Sequence, residues 1–138
     1  MSKLAGSATH HEGGCLCGAV RYRVEGELGA VGLCHCGQCR RWTGHFLAST
    51  SARRQDVTIE GELRWYESTP GVARRGFCPA CGSSLFWEAI GGPDLEILAG
   101  TLDKPTGLRT GHHIFVADKG DYYDIADGLP QYQQGNGT

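Results

Sequence analysis

Residues 19–25 read AVRYRVE, with Val20, Tyr22 and Val24 alternating against Arg21, Arg23 and Glu25. Successive side chains of an extended chain point to opposite sides, so this stretch predicts a strand with one buried and one wet face. Working outward, shorter runs rich in β-branched and aromatic residues lie at 45–49, 57–60, 63–66, 84–88, 95–98 and 114–116, separated by Gly, Pro and Asp. No window of about 11 residues keeps the apolar period of a helix, which predicts helix only for a turn or two after Cys39. The expected fold class is mainly β, a single domain of short antiparallel strands.

Composition sets the demands on that fold. A chain of 138 residues is the size of one ordinary domain, but its hydrophobic fraction is 40% and it carries 22 glycines. A thin core with many loops needs support beyond packing. Residues 1–12 are small and polar and read as a flexible leader, 13–132 as the domain, and 133–138 as a polar tail. No apolar run approaches the ~18 residues of a membrane span, and the first residues lack the apolar stretch of a secretory signal, which predicts a soluble, cytosolic protein. The formal charge of -2 leaves no basic footprint for phosphates, so neither nucleic acid nor a membrane is an expected partner.

All seven cysteines fall in three clusters: Cys15 and Cys17 in GGCLCGA, Cys34, Cys36 and Cys39 in LCHCGQCRR, and Cys78 and Cys81 in FCPACGSSL. In a reducing compartment clustered cysteines are more often metal ligands than disulfides, and an odd number strands one thiol in any disulfide framework. A four-ligand site plus a three-ligand site uses all seven. Zinc, redox-inert and thiophilic, suits such short clasps better than an iron–sulfur cluster. In Cys78-Pro-Ala-Cys81-Gly82 the glycine permits a tight knuckle whose backbone N–H groups can face the sulfurs. Spacing alone leaves the pairing open, since Cys36 and Cys39 with Cys78 and Cys81 would make an ordinary zinc ribbon.

The stretches GGCLCGAVRY at 13–22, CHCGQCRRWTG at 34–44 and FCPACGSSL at 77–85 resemble the glutathione-dependent formaldehyde-activating enzyme family, also called the centromere protein V-like domain. The resemblance continues through GTLDKP at 100–105, HIFV at 113–116 and YYDIADGLP at 122–130. It implies a zinc-stabilised β-tent in which Cys15, Cys17, Cys78 and Cys81 hold a structural zinc, and Cys34, Cys36 and Cys39 hold a second one. Two zinc ions per chain are thus implied, the second with an open fourth position, the mark of a catalytic ion. The implied reaction joins glutathione to formaldehyde, which makes the chain a carbon–sulfur lyase or synthase acting on a glutathione adduct of a small electrophile. A non-catalytic carrier of glutathione or its adducts, and a structural zinc module for protein contacts, are the rival readings.

Three thiolates give the second zinc a formal charge of -1, so positive or donating neighbours are needed. Arg40 and Arg41 follow the last cysteine directly and are candidates to bind a glutathione carboxylate; Arg74 and Arg75 rank below them. Tyr122, which stands where family members often carry Trp, and Tyr123 are candidate pocket walls. His35 is expected to point away from the metal by alternation. His45 is a candidate fourth ligand and His113 a candidate proton shuttle. Trp42, Trp65, Phe77, Phe86 and Trp87 are expected in the core.

Overall fold

The computed structural model describes residues 10–135. Ten strands and one helix follow in the order β1 (His10–Gly14), β2 (Arg21–Glu25), β3 (Val31–Cys34), α1 (Gly37–Thr43), β4 (Leu47–Arg53), β5 (Val57–Glu60), β6 (Arg64–Thr69), β7 (Ala73–Phe77), β8 (Ser84–Ala89), β9 (Asp94–Leu98) and β10 (Thr110–Ile114). They form a three-stranded sheet, β1-β2-β5, and a seven-stranded sheet, β10-β3-β4-β9-β8-β7-β6. The chain is mainly β, as its alternation predicts. Every pairing is antiparallel except β10 with β3, which run parallel.

The alternation of residues 19–25 decides how the sheets meet. Tyr22 and Val24 of β2, with Val57 of β5, face Leu85, Phe86, Leu95 and Ile97 of the large sheet and form the main core. Tyr22 meets Phe86 edge-on at 5.2 Å between ring centroids, an arrangement favoured by the ring quadrupoles. The Tyr22 hydroxyl reaches Thr101 Oγ1 at 2.6 Å. Gly13 on β1 is required by this closeness, because a Cβ there would come within 2.4 Å of the Tyr22 hydroxyl and the Thr101 carbonyl oxygen.

Residues one step out of phase point to the other face of the large sheet. There Leu47 and Leu98 pack with Cys39 under α1, with Cys34, Cys36 and Trp42 beside them. The helix is seven residues long and starts two residues before Cys39 rather than after it. Its start is set by the Cys36 sulfur, which accepts the Cys39 N–H at 3.3 Å in the role usually taken by Ser or Asp. Its end is set by Gly44, left-handed at φ 89°, whose N–H bonds the Arg40 carbonyl.

Several sequence boundaries move. Strand β1 starts at His10, so 10–12, read as leader, pair with β2, while 1–9 fall outside the described residues. Gln133 and Gln134, read as tail, accept backbone bonds from Ala117 and Phe115. The strand read at 45–49 is β4 at Leu47–Arg53, and that read at 114–116 is β10, whose ladder with β3 ends where the first expected residue begins. Strands β1, β3 and β7 have no counterpart in the reading because glycines and paired arginines interrupt their alternation. Phe86 is fully buried, whereas Trp42, Trp65, Phe77 and Trp87, also read as core, are half-buried.

Candidate metal centres and the polar cluster beside them

Two turns bring the outer cysteine pairs together. After β1 the chain folds back at Gly18, φ 83°, whose N–H bonds the Cys15 carbonyl. After β7 it folds back at Gly82, φ 79°, whose N–H bonds the Cys78 carbonyl at 2.7 Å. Both positions need the left-handed backbone that glycine adopts freely. The Val20 N–H points at Cys15 Sγ at 3.2 Å, and the Ser83 hydroxyl lies 3.2 Å from Cys81 Sγ while accepting the Leu16 N–H.

The four sulfurs of Cys15, Cys17, Cys78 and Cys81 lie within 4.8 Å of one another. Cys15 and Cys17 are 3.7 Å apart, and Cys17 and Cys78 3.9 Å, although 61 residues separate the latter pair. Thiolates about 2.3 Å from a tetrahedral ion stand about 3.8 Å from each other, so the donor set fits a metal ion. All seven cysteines are free thiols, and the ribbon pairing of Cys36 and Cys39 with Cys78 and Cys81 is not formed.

Cys34, Cys36 and Cys39 make a second group within 4.8 Å. Cys34 ends β3, Cys36 caps α1 and Cys39 lies in its first turn, so one strand end and one helix start present all three sulfurs. The thiols compete for protons: hydrogen bonding to Cys36 pushes Cys34 up, and the same bond from Cys34 pulls Cys36 down. Burial adds a penalty for charge, so three ionised sulfurs at this spacing call for a cation among them. These residues could therefore hold a metal ion with three protein donors.

The arginine buried against this trio is Arg75. It is 4% exposed, and its two terminal guanidinium nitrogens each lie 3.8 Å from Cys39 Sγ, held by Gln38 Oε1 at 3.1 Å and stacked over Trp42 at 5.0 Å. Arg40 is half-buried and its Nε has no partner among the described residues, while Arg41 points to solvent. Sequence order favours Arg40 and Arg41; the fold brings Arg75 across from β7, where nothing in the local pattern marks it.

On the far side of Cys34 and Cys36 lies a cluster of rings. His35 points away from the trio, as alternation predicts, and both its nitrogens are engaged: Nδ1 with the Tyr123 hydroxyl at 2.5 Å and Nε2 with His113 Nδ1 at 2.8 Å. Burial, with His113 next in effect, pushes His35 down to about 4. His113 Nε2 reaches Asp127 Oδ2 at 2.8 Å. His45 is not in the sulfur group; its Nδ1 bonds the Tyr122 hydroxyl at 2.6 Å, and its ring meets Phe46 and Tyr123. Lys119 Nζ lies 4.8 Å from the Tyr123 ring centroid. Asp127, Lys119 and Gln38 have no mark in the sequence beyond their place in the loops and helix that carry them.

No helix among the described residues is long and apolar enough to cross a membrane. Among solved structures, a crystal structure of a Rhodobacter sphaeroides protein superposes with a TM-score of 0.58 at 21% identity, covering 88% of this chain and 98% of that one. At this identity the likeness speaks for the fold alone. Among curated proteins, an uncharacterised lyase of Schizosaccharomyces pombe is 29% identical over 119 residues, which is 85% of this chain and 86% of that protein. A family profile described as glutathione-dependent formaldehyde-activating enzyme matches residues 10–118, a span that takes in every strand and both sulfur clusters, and on that match the chain belongs to the glutathione-dependent formaldehyde-activating enzyme family.

Proposed function

We propose that the chain is a zinc-dependent carbon–sulfur lyase, or synthase in the opposite direction, that joins glutathione to formaldehyde or a related small electrophile. The observation that carries this reading is the three-sulfur group of Cys34, Cys36 and Cys39, with no fourth protein donor within 4.8 Å among the described residues and a buried guanidinium on one flank. Membership of the family and the lyase name of the yeast relative support it. In this reading Cys15, Cys17, Cys78 and Cys81 hold a structural zinc and the trio a second, two per chain. A zinc bound at the trio would supply Lewis acidity and stabilise an incoming thiolate.

The chain's own residues do the rest. Arg75 offsets the surplus negative charge of three thiolates from the Cys39 side. Arg40, half-buried with an unpaired Nε, is the stronger candidate for a glutathione carboxylate, and Arg41, on the surface, the weaker. Tyr122, 59% exposed and tied to His45, is a wall of the substrate pocket. Seven free thiols fit the reducing cytosol.

The deciding experiment compares the rate of adduct formation with and without protein at equal glutathione and formaldehyde. Acceleration that vanishes in Cys36→Ser supports the enzyme. Tight glutathione binding with the uncatalysed rate favours the carrier instead.

A further inference from the structure

The outer face of the large sheet continues past Leu98 into a patch beside the three-cysteine group. Residues directly opposite each other in antiparallel strands point to the same side, so the register identifies the members of this face. Arg75 is opposite Trp87, Trp87 is opposite Glu96, and Ser49 is opposite Leu98. Both ends of that series touch the sulfur group: Arg75 lies 3.8 Å from Cys39 Sγ, and Leu98 packs with Cys39 under α1. Glu96 stands two residues before Leu98 on β9, a step of about 7 Å along the same face. Ser49 Oγ donates to Glu96 Oε1 at 2.8 Å and holds the carboxylate in place. Ser49, Trp87 and Glu96 are all half-buried. Trp42 of α1 packs on the cluster of Cys39, Leu47 and Leu98 and stacks with Arg75, so its ring stands at the edge of the patch.

What the patch lacks is a counter-charge. Arg54 and Arg74 are taken by Glu88, and Arg75 by Cys39 and Gln38. Among the described residues Glu96 pairs with no cation, and its second oxygen, Oε2, has no hydrogen-bond partner. A half-buried carboxylate next to a group of thiols gains most from a positively charged ligand group. We propose that Glu96 receives the amino-terminal ammonium of glutathione while the thiol is held at Cys34, Cys36 and Cys39, so that Glu96 selects for the γ-glutamyl end. The proposal rests on the function proposed above and adds to it the residue that reads the substrate. An extended residue spans ~3.5 Å, and the γ-linkage and the cysteine side chain both lengthen the reach from sulfur to nitrogen, enough for the step of about 7 Å. The ammonium donates to Glu96 Oε2, and the methylenes of the γ-glutamyl unit lie on the Trp87 ring. A thiol without an amino group leaves the carboxylate as it is in the free protein and forgoes that hydrogen bond.

The test is calorimetric binding to the full zinc-loaded chain of glutathione and of glutaryl-cysteinyl-glycine, which is glutathione without its amino group. The wild type is expected to bind glutathione about tenfold more tightly than the analogue. Glu96→Gln keeps an oxygen for the Ser49 hydroxyl, so it should keep the wild-type melting temperature. It should bind glutathione about tenfold more weakly than the wild type does, and the analogue no more weakly. Asp94→Asn removes an exposed acid two residues away on the same face and should change either affinity by less than about twofold. Equal affinity of the wild type for the two ligands overturns the proposal and leaves the proposed function standing, as does a loss in Glu96→Gln that the analogue shares. A loss in Asp94→Asn as large as that in Glu96→Gln overturns it too, because the effect would then come from overall charge. Failure of the wild type to bind either ligand ends the proposed function, and this proposal with it.

Discussion

In the proposed function the four-cysteine and three-cysteine clusters use the same side chain for different ends, and their surroundings differ accordingly. Cys15 and Cys78 are buried members of the core between the sheets, and their partners come from two turns 61 residues apart in the case of Cys17 and Cys78. Cys15 Sγ accepts a backbone N–H and Cys81 Sγ lies against a serine hydroxyl, groups that settle sulfur charge. Cys34, Cys36 and Cys39 come from one short segment on the outer face of the large sheet, so joining them restrains little chain. A buried guanidinium lies against this cluster, and beyond Cys34 and Cys36 are two linked histidines and two tyrosines. In that reading the cluster that ties distant segments holds the fold, and the cluster within one segment faces a ligand.

The strongest way to break that comparison is Cys81→Ser against Cys36→Ser. An apparent binding free energy of about 10–16 kcal/mol for a four-thiolate zinc matches or exceeds the ~5–15 kcal/mol stability of a whole domain, so Cys81→Ser is expected to be unfolded by circular dichroism at 25 °C. Ser is itself a preferred helix cap, so Cys36→Ser should keep α1 and melt within about 5 °C of the wild type while losing turnover. Equal melting of the two variants would end the distinction. Chelator titration should divide the metals in the same way: elemental analysis is expected to give two zinc ions per chain, one leaving with far-UV dichroism intact and the other only with loss of structure. Loss of both in a single step would contradict it.

Smaller effects sharpen the picture of the outer cluster. Arg75→Lys keeps a charge but loses the fork that spans Cys39 and Gln38, and is expected to weaken metal retention at the trio by about tenfold in chelator competition, with the other ion unaffected. Tyr122→Phe removes one exposed hydrogen bond to His45. A contact of that kind contributes less than about 1 kcal/mol, so stability should be unchanged and KM for glutathione should rise by about threefold. A larger change in kcat than in KM would move Tyr122 from a pocket wall into the chemistry.

Much of the architecture was legible in the linear pattern. The alternation of Val20, Tyr22 and Val24 is a local property of an extended chain, and it correctly marks the face that closes on Phe86. The glycine after Cys81 could be read as a turn because only the left-handed backbone forms so tight a knuckle. Strand β7 was illegible for the opposite reason. ARRGF carries two arginines, which look solvent-facing, yet Arg75 is buried because Cys39, Gln38 and Trp42 on a distant helix supply its partners.

The sequence by itself determined the β class and the seven clustered thiols, since each follows from spacing within a few residues. The tertiary structure decided which cysteines meet, which arginine lies against the sulfurs, and that His35, His113, Tyr123 and Asp127 form one row. The row depends on β10 pairing with β3 and on the loop after it folding back, and the other two choices join segments 61 and 36 residues apart, contacts that no local pattern encodes.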